Sequence, residues 1–149
     1  MNLAEILKEE NVLLDIEADS KENAIDQLIQ SMEKTGVVND AATYKETVLK
    51  REEEGTTGIG FGVAIPHGKS SGVNNAGLAF ARLTKEVDWQ SLDGNPVTSV
   101  FLIAIPEEQA GKEHLQILSQ LSRKLIHEDF RNQLKTASTK QELIATLEE

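Results

Sequence analysis

The sequence has no cysteine, and this absence excludes several kinds of chemistry. Without a thiol the chain forms no disulfide framework, no thiolate metal site and no cysteine nucleophile. Its 149 residues fit the size of one domain, and a chain of this length buries roughly 68–70% of its unfolded surface. The sequence therefore predicts a single domain over residues 1–149, with a hydrophobic core that needs no covalent cross-links.

Long apolar runs and targeting features are also missing. No stretch approaches the ~18 consecutive apolar residues of a membrane-spanning helix. The first residues, MNLAEILKEENV, lack the basic region, apolar run and small-residue cleavage site of a signal peptide. We therefore expect a cytoplasmic protein with no direct membrane insertion.

Basic residues are few and scattered. The chain has 15 Lys and Arg against 25 Asp and Glu, which gives a formal net charge of −10. Nucleic-acid-binding proteins gain affinity by neutralising phosphates with clustered cations, so this balance argues against a nucleic-acid partner. The acidity can serve solubility or steer a basic partner, and the sequence leaves both interpretations open.

Helix and strand patterns alternate along the chain without a linker, a repeat or a low-complexity block. Apolar runs predict strands at residues 12–16, 61–65, 77–83 and 97–105, with a turn at 93–96. Apolar residues at helical spacing, together with cap residues, predict helices at about 19–36, 40–54, 111–126 and 139–147. This order predicts an α/β fold in which helices flank both faces of a mixed central sheet.

Residues 55–72, GTTGIGFGVAIPHGKSSG, contain six glycines and His67. Pro66 is predicted to end the FGVAI strand and turn the backbone, so that His67 stands at a strand end with its ring accessible. Reacting groups collect at the carboxyl ends of strands in α/β sheets, and glycines let backbone N–H groups approach an anion. The segment is not a Walker A loop, because Val63 stands where that motif needs glycine. On this segment alone His67 is either a reactive group or a structural turn residue.

Two further residues stand out on predicted helices. Arg51 continues the apolar face of Tyr44 and Val48, either as a cation against the carbonyl end of its helix or as an anion clamp. His114 faces inward near the start of a Leu-rich helix, where it is either a core residue or a contact for an anion. His127, at an apparent helix junction, is interpreted as structural.

His67, Arg51 and His114 together suggest a phosphoryl site. Neutral imidazole is nucleophilic near pH 7 because its reference pKa is about 6.5, and its attack on phosphorus gives a phosphoramidate that stays reactive. Phosphoryl transfer needs positioning and charge neutralisation more than covalent machinery. His67 is the predicted nucleophile, Arg51 and His114 are predicted donors to the phosphoryl oxygens, and loop N–H groups complete the cradle. No metal or cofactor is predicted.

These residues carry a resemblance to a known family. REEEGTTGIGFGVAIPHGKS followed by EHLQILSQLSRKL resembles the enzyme IIA domain of the fructose/mannitol class of the bacterial sugar phosphotransferase system, over Leu3 to Leu147. The resemblance implies that His67 accepts phosphate from the phosphocarrier protein HPr and passes it to a cysteine of a IIB domain. That cysteine would phosphorylate a sugar entering through a membrane IIC domain. The glycine-rich segment favours the fructose branch.

The resemblance also assigns other residues. It places His114 and Arg51 beside the phosphoryl group. The loop cradle predicted above from backbone N–H groups would be formed by Thr57, Gly58 and Gly68. Phe61 is either a docking contact for HPr or IIB or a core residue.

Two alternatives remain open at this stage. A nitrogen-type regulatory IIA protein would use a similar histidine but signal through its phosphorylation state. A metal- or anion-binding module would use His67, His114 and a carboxylate, although no HxxxH, HExxH or cysteine pattern supports zinc.

Overall fold

The computed structural model describes residues 2–108 and 113–148, without the side chains of Glu113 and His114. The helices in this part of the chain are α1 (Leu3–Ile6), α2 (Lys21–Lys34), α3 (Ala41–Glu54), α4 (Glu113–Leu125), α5 (Glu128–Thr136) and α6 (Lys140–Ala145). The strands are β1 (Leu7–Ile16), β2 (Gly58–Gly60), β3 (Val63–Ala64), β4 (His67–Ser70), β5 (Gly77–Val87) and β6 (Val97–Pro106).

The strands form one mixed sheet in the order β1-β5-β6-β3-β2, with β4 also paired to β6. Strand β6 runs antiparallel to β5 and parallel to β3 and β4. All of its residues except Thr98 are buried, as the continuous apolar run predicts. The central strand therefore supports the short strands that carry the glycine-rich segment.

Hydrophobic residues pack against both faces of the sheet. One core cluster joins α2 and α3 to the first face, and it includes Tyr44, Val48 and Trp89. The other joins α1, α4, α5 and α6 to the opposite face, around Phe80 and Phe101. The predicted fold class, a single α/β domain with helices on both faces of a mixed sheet, is confirmed. Within the described residues no helix combines the length and the apolar character needed to cross a bilayer.

Local signals placed most element ends correctly. Asp40 caps α3 by accepting a hydrogen bond from the N–H of Thr43, and α3 ends at Gly55. Thr139 caps α6 through the N–H of Glu142, as predicted, but that helix ends at Ala145 and the chain continues as a turn. Ser20 caps α2 by accepting a hydrogen bond from the N–H of Asn23.

The predicted strand at 61–65 is largely wrong. Only Val63 and Ala64 belong to a strand, while Phe61 and Gly62 form the turn of a β2–β3 hairpin. His67 is the first residue of β4 and does not follow a strand end. It pairs with Ile103 of β6, and β3 and β4 pair with β6 in the same register. Strands β3 and β4 therefore lie beside β6 as one strand that is interrupted at Pro66, since proline has no backbone N–H to donate to a neighbouring strand.

Candidate active site

His67 lies at a cavity of about 370 Å³ between β4 and α3. The residues that line the cavity are Thr47, Lys50, Arg51, Glu54, His67, Gly68, Lys69 and Ile105. Three of them are cationic and one is acidic. Arg51 and His67, which the sequence singled out separately, are brought to the same cavity.

The cavity depends on a close approach of α3 to β4 at Gly68. A methyl group at this position would lie 3.1 Å from Thr47 Cγ2, 3.2 Å from Val48 Cγ2 and 3.3 Å from Tyr44 Cε1. The absence of a side chain at Gly68 therefore sets the distance between the helix that carries Arg51 and the strand that carries His67.

Tyr44 fixes the same helix to the central strand. Its hydroxyl donates a 2.6 Å hydrogen bond to the carbonyl oxygen of Ile103, the residue opposite His67. Complete burial raises the pKa of the Tyr44 hydroxyl well above its ordinary value, so the group remains a donor at any physiological pH. Helix α3 is thus tied to the sheet at the level of His67.

The His67 ring has a defined orientation. Nδ1 lies 3.0 Å from the carbonyl oxygen of Ile65. A carbonyl oxygen can only accept, so in the neutral ring Nδ1 carries the proton and Nε2 holds the lone pair.

Arg51 sits beside the buried face of α3 rather than on it. The buried positions of this helix are Tyr44, Val48 and Glu52, so the expectation that Arg51 continues the apolar face is corrected. Arg51 is half-buried, and its Nη1 donates a 2.8 Å hydrogen bond to the carbonyl oxygen of Gly55. Because an α-helix has 3.6 residues per turn, Glu52 follows Val48 on the buried face. Arg51 lies at the edge of that face and lines the cavity.

Thr57 and Gly58 are placed differently from the predicted loop cradle. The Thr57 side chain is buried, its hydroxyl donates to the Glu52 carboxylate, and its N–H points to the same carboxylate at 3.4 Å. The Gly58 N–H donates to the Thr56 hydroxyl at 3.1 Å. Neither residue lines the cavity, because the hairpin folds the glycine-rich segment onto the protein itself. Of the predicted cradle residues, Gly68 is at the cavity.

Glu52 was not identified from the sequence. Its carboxylate also lies 3.5 Å from Lys21 Nζ, and Trp89 Nε1 donates to the Thr57 hydroxyl at 3.2 Å. The available signal was its spacing, four residues after Val48 on the buried face of the helix. A carboxylate at such a position needs partners.

Phe61 lies at the tip of the β2–β3 hairpin and is 61% exposed, which excludes the core interpretation. Its backbone is in the left-handed region with φ of 59°. Its N–H donates to Asp93 Oδ2 at 3.0 Å, and its ring stacks with the Arg131 guanidinium at 4.1 Å. The exposed ring is therefore held by a hydrogen bond at its backbone N–H and by the contact with Arg131.

The structure describes the other two histidines to different extents. The backbone of His114 belongs to α4, but its side chain lies outside the described residues. His127 is exposed at the start of α5 and borders a separate cavity of about 580 Å³. Among the described side chains, no three His, Asp or Glu residues form an arrangement suited to a metal ion.

The chain is similar to known proteins over most of its length. A family model described as "Phosphoenolpyruvate-dependent sugar phosphotransferase system, EIIA 2" matches residues 5–149. The PTS system fructose-specific EIIABC component of Bacillus subtilis is 43% identical over 144 residues, which are 97% of this chain and 22% of that protein. The chain thus spans about a fifth of that relative.

Two solved structures are similar over almost the whole chain. The crystal structure of the nitrogen regulatory protein IIA-Ntr from Neisseria meningitidis has 37% identity and a TM-score of 0.89, covering 97% of both chains. The complex of enzyme IIAMTL with phosphorylated enzyme IIBMTL from Escherichia coli includes a chain with 25% identity and a TM-score of 0.79, covering 95% of this chain and 97% of that one.

Proposed function

The chain belongs to the EIIA 2 family of the phosphoenolpyruvate-dependent sugar phosphotransferase system, and on this premise we propose that His67 is its phosphorylated residue. Membership makes the chain a phosphotransferase component and a phosphocarrier. The observation that carries the proposal is the His67 ring, oriented by Ile65 at a cavity that Arg51 shares. An imidazole held this way can form and release a bond to phosphorus without rotating.

Nε2 of His67 is the reacting atom in this proposal. In the first transfer Nε2 attacks phosphorus, and the bond from phosphorus to the donor atom breaks with its electron pair left on the donor. In the second transfer a thiolate attacks phosphorus, and the bond to Nε2 breaks in the same sense. Nδ1 keeps its proton and its hydrogen bond to the Ile65 carbonyl oxygen during both transfers. The ring therefore carries one positive charge while it is phosphorylated.

Three cations support the phosphoryl group. Lys50, Arg51 and Lys69 line the cavity with His67, whereas the whole chain carries a net charge of −10. A local excess of cations favours an incoming dianion, and the planar guanidinium of Arg51 suits phosphoryl oxygens. His114 is proposed as a further donor, on the basis of the sequence resemblance alone.

HPr is the proposed donor and a IIB domain the proposed acceptor. The IIAMTL–phosphorylated IIBMTL complex supports an acceptor of this kind, since its IIA chain has the same fold. A membrane IIC component would receive the sugar, and the relay would then operate in the cytoplasm. We propose fructose as the sugar because the Bacillus subtilis relative is named for it.

Phe61 is a proposed partner contact. An exposed aromatic side chain on a fixed backbone loses little freedom when it is buried by a partner. Replacing Phe61 with alanine should raise the KM for the protein donor or acceptor and leave phosphorylation by a small phosphoramidate unchanged. An unchanged KM for both proteins would exclude this role.

A regulatory function is the second candidate. It is favoured by the 37% identity and the TM-score of 0.89 to IIA-Ntr from Neisseria meningitidis. Both functions would use the same phosphorylated histidine and differ in the acceptor. Fructose uptake in cells that lack this chain separates them, because an unchanged uptake would favour the regulator.

The decisive experiment mixes the chain with phosphoenolpyruvate, enzyme I and HPr and follows its intact mass. We expect one acid-labile phosphate on the wild type and none on His67→Ala. His127→Ala, a matched change away from the cavity, should be labelled normally. His114→Ala should accept phosphate but transfer it more slowly. Labelling of His67→Ala, or loss of labelling in His114→Ala alone, would reverse the assignment.

A further inference from the structure

A largely buried polar network lies next to Arg51, and the phosphoryl chemistry above does not use it. Its centre is Glu52, the residue after Arg51, whose side chain is only 4% exposed. The Glu52 carboxylate accepts the hydroxyl hydrogen of Thr57 and lies 3.5 Å from Lys21 Nζ. Trp89 Nε1 donates to the same Thr57 hydroxyl, and the Thr56 hydroxyl donates to the Trp89 carbonyl oxygen at 2.6 Å.

Resting on the proposed function, we propose that the Glu52–Thr57 contact positions Arg51 and His67 for phosphoryl transfer. Neither Glu52 nor Thr57 lines the cavity, so neither touches a phosphoryl group there. Both act through the segment 55–57, which the contact holds against the end of α3. They are positioning residues.

The connection to Arg51 runs through Gly55. The Arg51 guanidinium donates to the carbonyl oxygen of Gly55 at 2.8 Å, and this carbonyl belongs to the segment fixed by Thr57. If residue 57 were released from Glu52, the Gly55 carbonyl could move away from the helix, and the guanidinium would lose its anchor. The long arginine side chain has many rotamers, so a fixed acceptor selects one of them.

The connection to His67 runs through Ile65. The carbonyl oxygen of Thr57 accepts a 3.0 Å hydrogen bond from the N–H of Ile65, and the Ile65 carbonyl in turn accepts from His67 Nδ1. Thr57 therefore bonds to Glu52 with its side chain and, with its backbone, to Ile65, the residue whose carbonyl orients His67. One residue couples the end of α3 to the orientation of the imidazole.

The chemistry of the pair supports a positioning role over a purely stabilising one. Burying a carboxylate is costly even with good partners, and replacing such groups by apolar residues is often neutral for stability. A charge-assisted hydrogen bond, however, fixes direction as well as distance. Misplacement by about 1 Å at a reacting centre can slow a reaction about 100-fold.

The test compares Thr57→Val, which keeps the shape and removes the hydroxyl, with Thr57→Ser, which keeps the hydroxyl. Labelling of His67 by phosphorylated HPr is followed by rapid-quench intact mass. We expect Thr57→Val to be about 10- to 100-fold slower than the wild type, with Thr57→Ser close to the wild type. Thr146→Val is the matched control, because Thr146 is also buried and bonded through its hydroxyl but borders the other cavity.

Two readouts distinguish positioning from loss of the fold. The double variant Thr57→Val/Arg51→Ala should be slower than Arg51→Ala by less than the factor that Thr57→Val shows alone, because the part of the Thr57 effect that passes through Arg51 is already lost and only the part that passes through His67 remains. Nitrogen-15 NMR above the ordinary histidine pKa of about 6.5 should show the Nδ1–H form of His67 in the wild type and a mixture of tautomers in Thr57→Val.

Several results would overturn the inference. One is a Thr57→Val variant that is labelled as fast as the wild type. Another is a double variant whose labelling rate falls by the full product of the two single reductions. A third is a Thr57→Ser rate as low as that of Thr57→Val. Should Thr57→Val fail to fold, Glu52→Gln decides, and a wild-type rate for it counts against the role. If the wild-type chain itself takes up no phosphate, the proposed function fails, whereas the NMR comparison needs no donor and still tests the positioning.

Discussion

The His67 ring donates its Nδ1 proton to the carbonyl oxygen of Ile65, and the N–H of the same residue donates to the carbonyl oxygen of Thr57. Its orientation is therefore set by backbone groups, which have no rotamers to lose. Arg51 reaches the same cavity from α3 through a side chain with many rotamers, and one carbonyl holds it in place. At this scale the cavity combines an imidazole oriented by backbone groups with a guanidinium held by a single hydrogen bond.

The first prediction concerns Arg51→Ala. The guanidinium is half-buried and makes its hydrogen bond at the surface, so the free energy of unfolding should change by only about 0.5 kcal/mol. Phosphoryl transfer should slow about 100-fold, the usual loss when one donor to developing charge is removed. Quench-flow labelling and urea unfolding measure the two effects. The control is Arg123→Ala, a cation at the other cavity, and equal slowing of both variants would contradict the prediction.

At the scale of elements, the site is made by the packing of α3 on β4. Gly68 permits the contact, and the Tyr44 hydroxyl ties the helix to β6. The β2–β3 hairpin then closes the glycine-rich segment onto the end of α3 through Thr57. A helix, an edge strand and a hairpin thus share the task of bringing Arg51 to His67.

The second prediction is Gly68→Ala. The added methyl group would lie 3.1 to 3.3 Å from three side chains of α3, closer than ordinary contact. Overpacking of this kind costs about 1–3 kcal/mol, and a shift of α3 that relieves it would move Arg51 away from His67. We expect lower stability in urea together with slower labelling. Gly55→Ala is the stability control, since nothing lies within 4 Å of a methyl group there; equal losses in the two variants would contradict the packing argument.

At the scale of the molecule, acidic side chains are held in their charged form at several separate places. The Arg82 side chain lowers the pKa of Asp15, hydrogen bonds from Thr43 lower the pKa of Asp40, and the N–H groups of Asn95 and Phe61 lower the pKa of Asp93. Each pKa is lower in the folded protein than in the unfolded chain. The stability they contribute is therefore present above their ordinary pKa of 3.8 and is lost as the pH falls through the folded values.

The third prediction is a fall in the free energy of unfolding below about pH 4, with little change between pH 6 and pH 8. Urea unfolding measured from pH 2.5 to pH 8 checks it. Asp93→Asn should show a weaker dependence on acid than the wild type, because it has one fewer carboxylate to protonate. A free energy that stays constant down to pH 2.5 would contradict the sign of these pKa shifts.

The sequence by itself determined most of the elements and singled out two of the residues that share the cavity. Caps such as Asp40 and Thr139, and the continuous apolar run of β6, are local signals, and each was identified correctly. Local signals work because they depend on residues within a few positions of one another. The sequence also singled out His67 and Arg51, which the structure brings to one cavity, and their roles in phosphoryl transfer stay predictions.

The tertiary structure decided how these residues are combined. It showed that the glycine-rich segment folds back as a hairpin, that Thr57 and Gly58 lie away from the cavity, and that Glu52 takes the buried position beside Arg51. These features depend on contacts between parts of the chain that are distant in sequence, such as Thr57 with Trp89 and Asp93 with Phe61. Periodicity cannot reveal them, because it reports which face of an element is buried and not which distant group will meet it there.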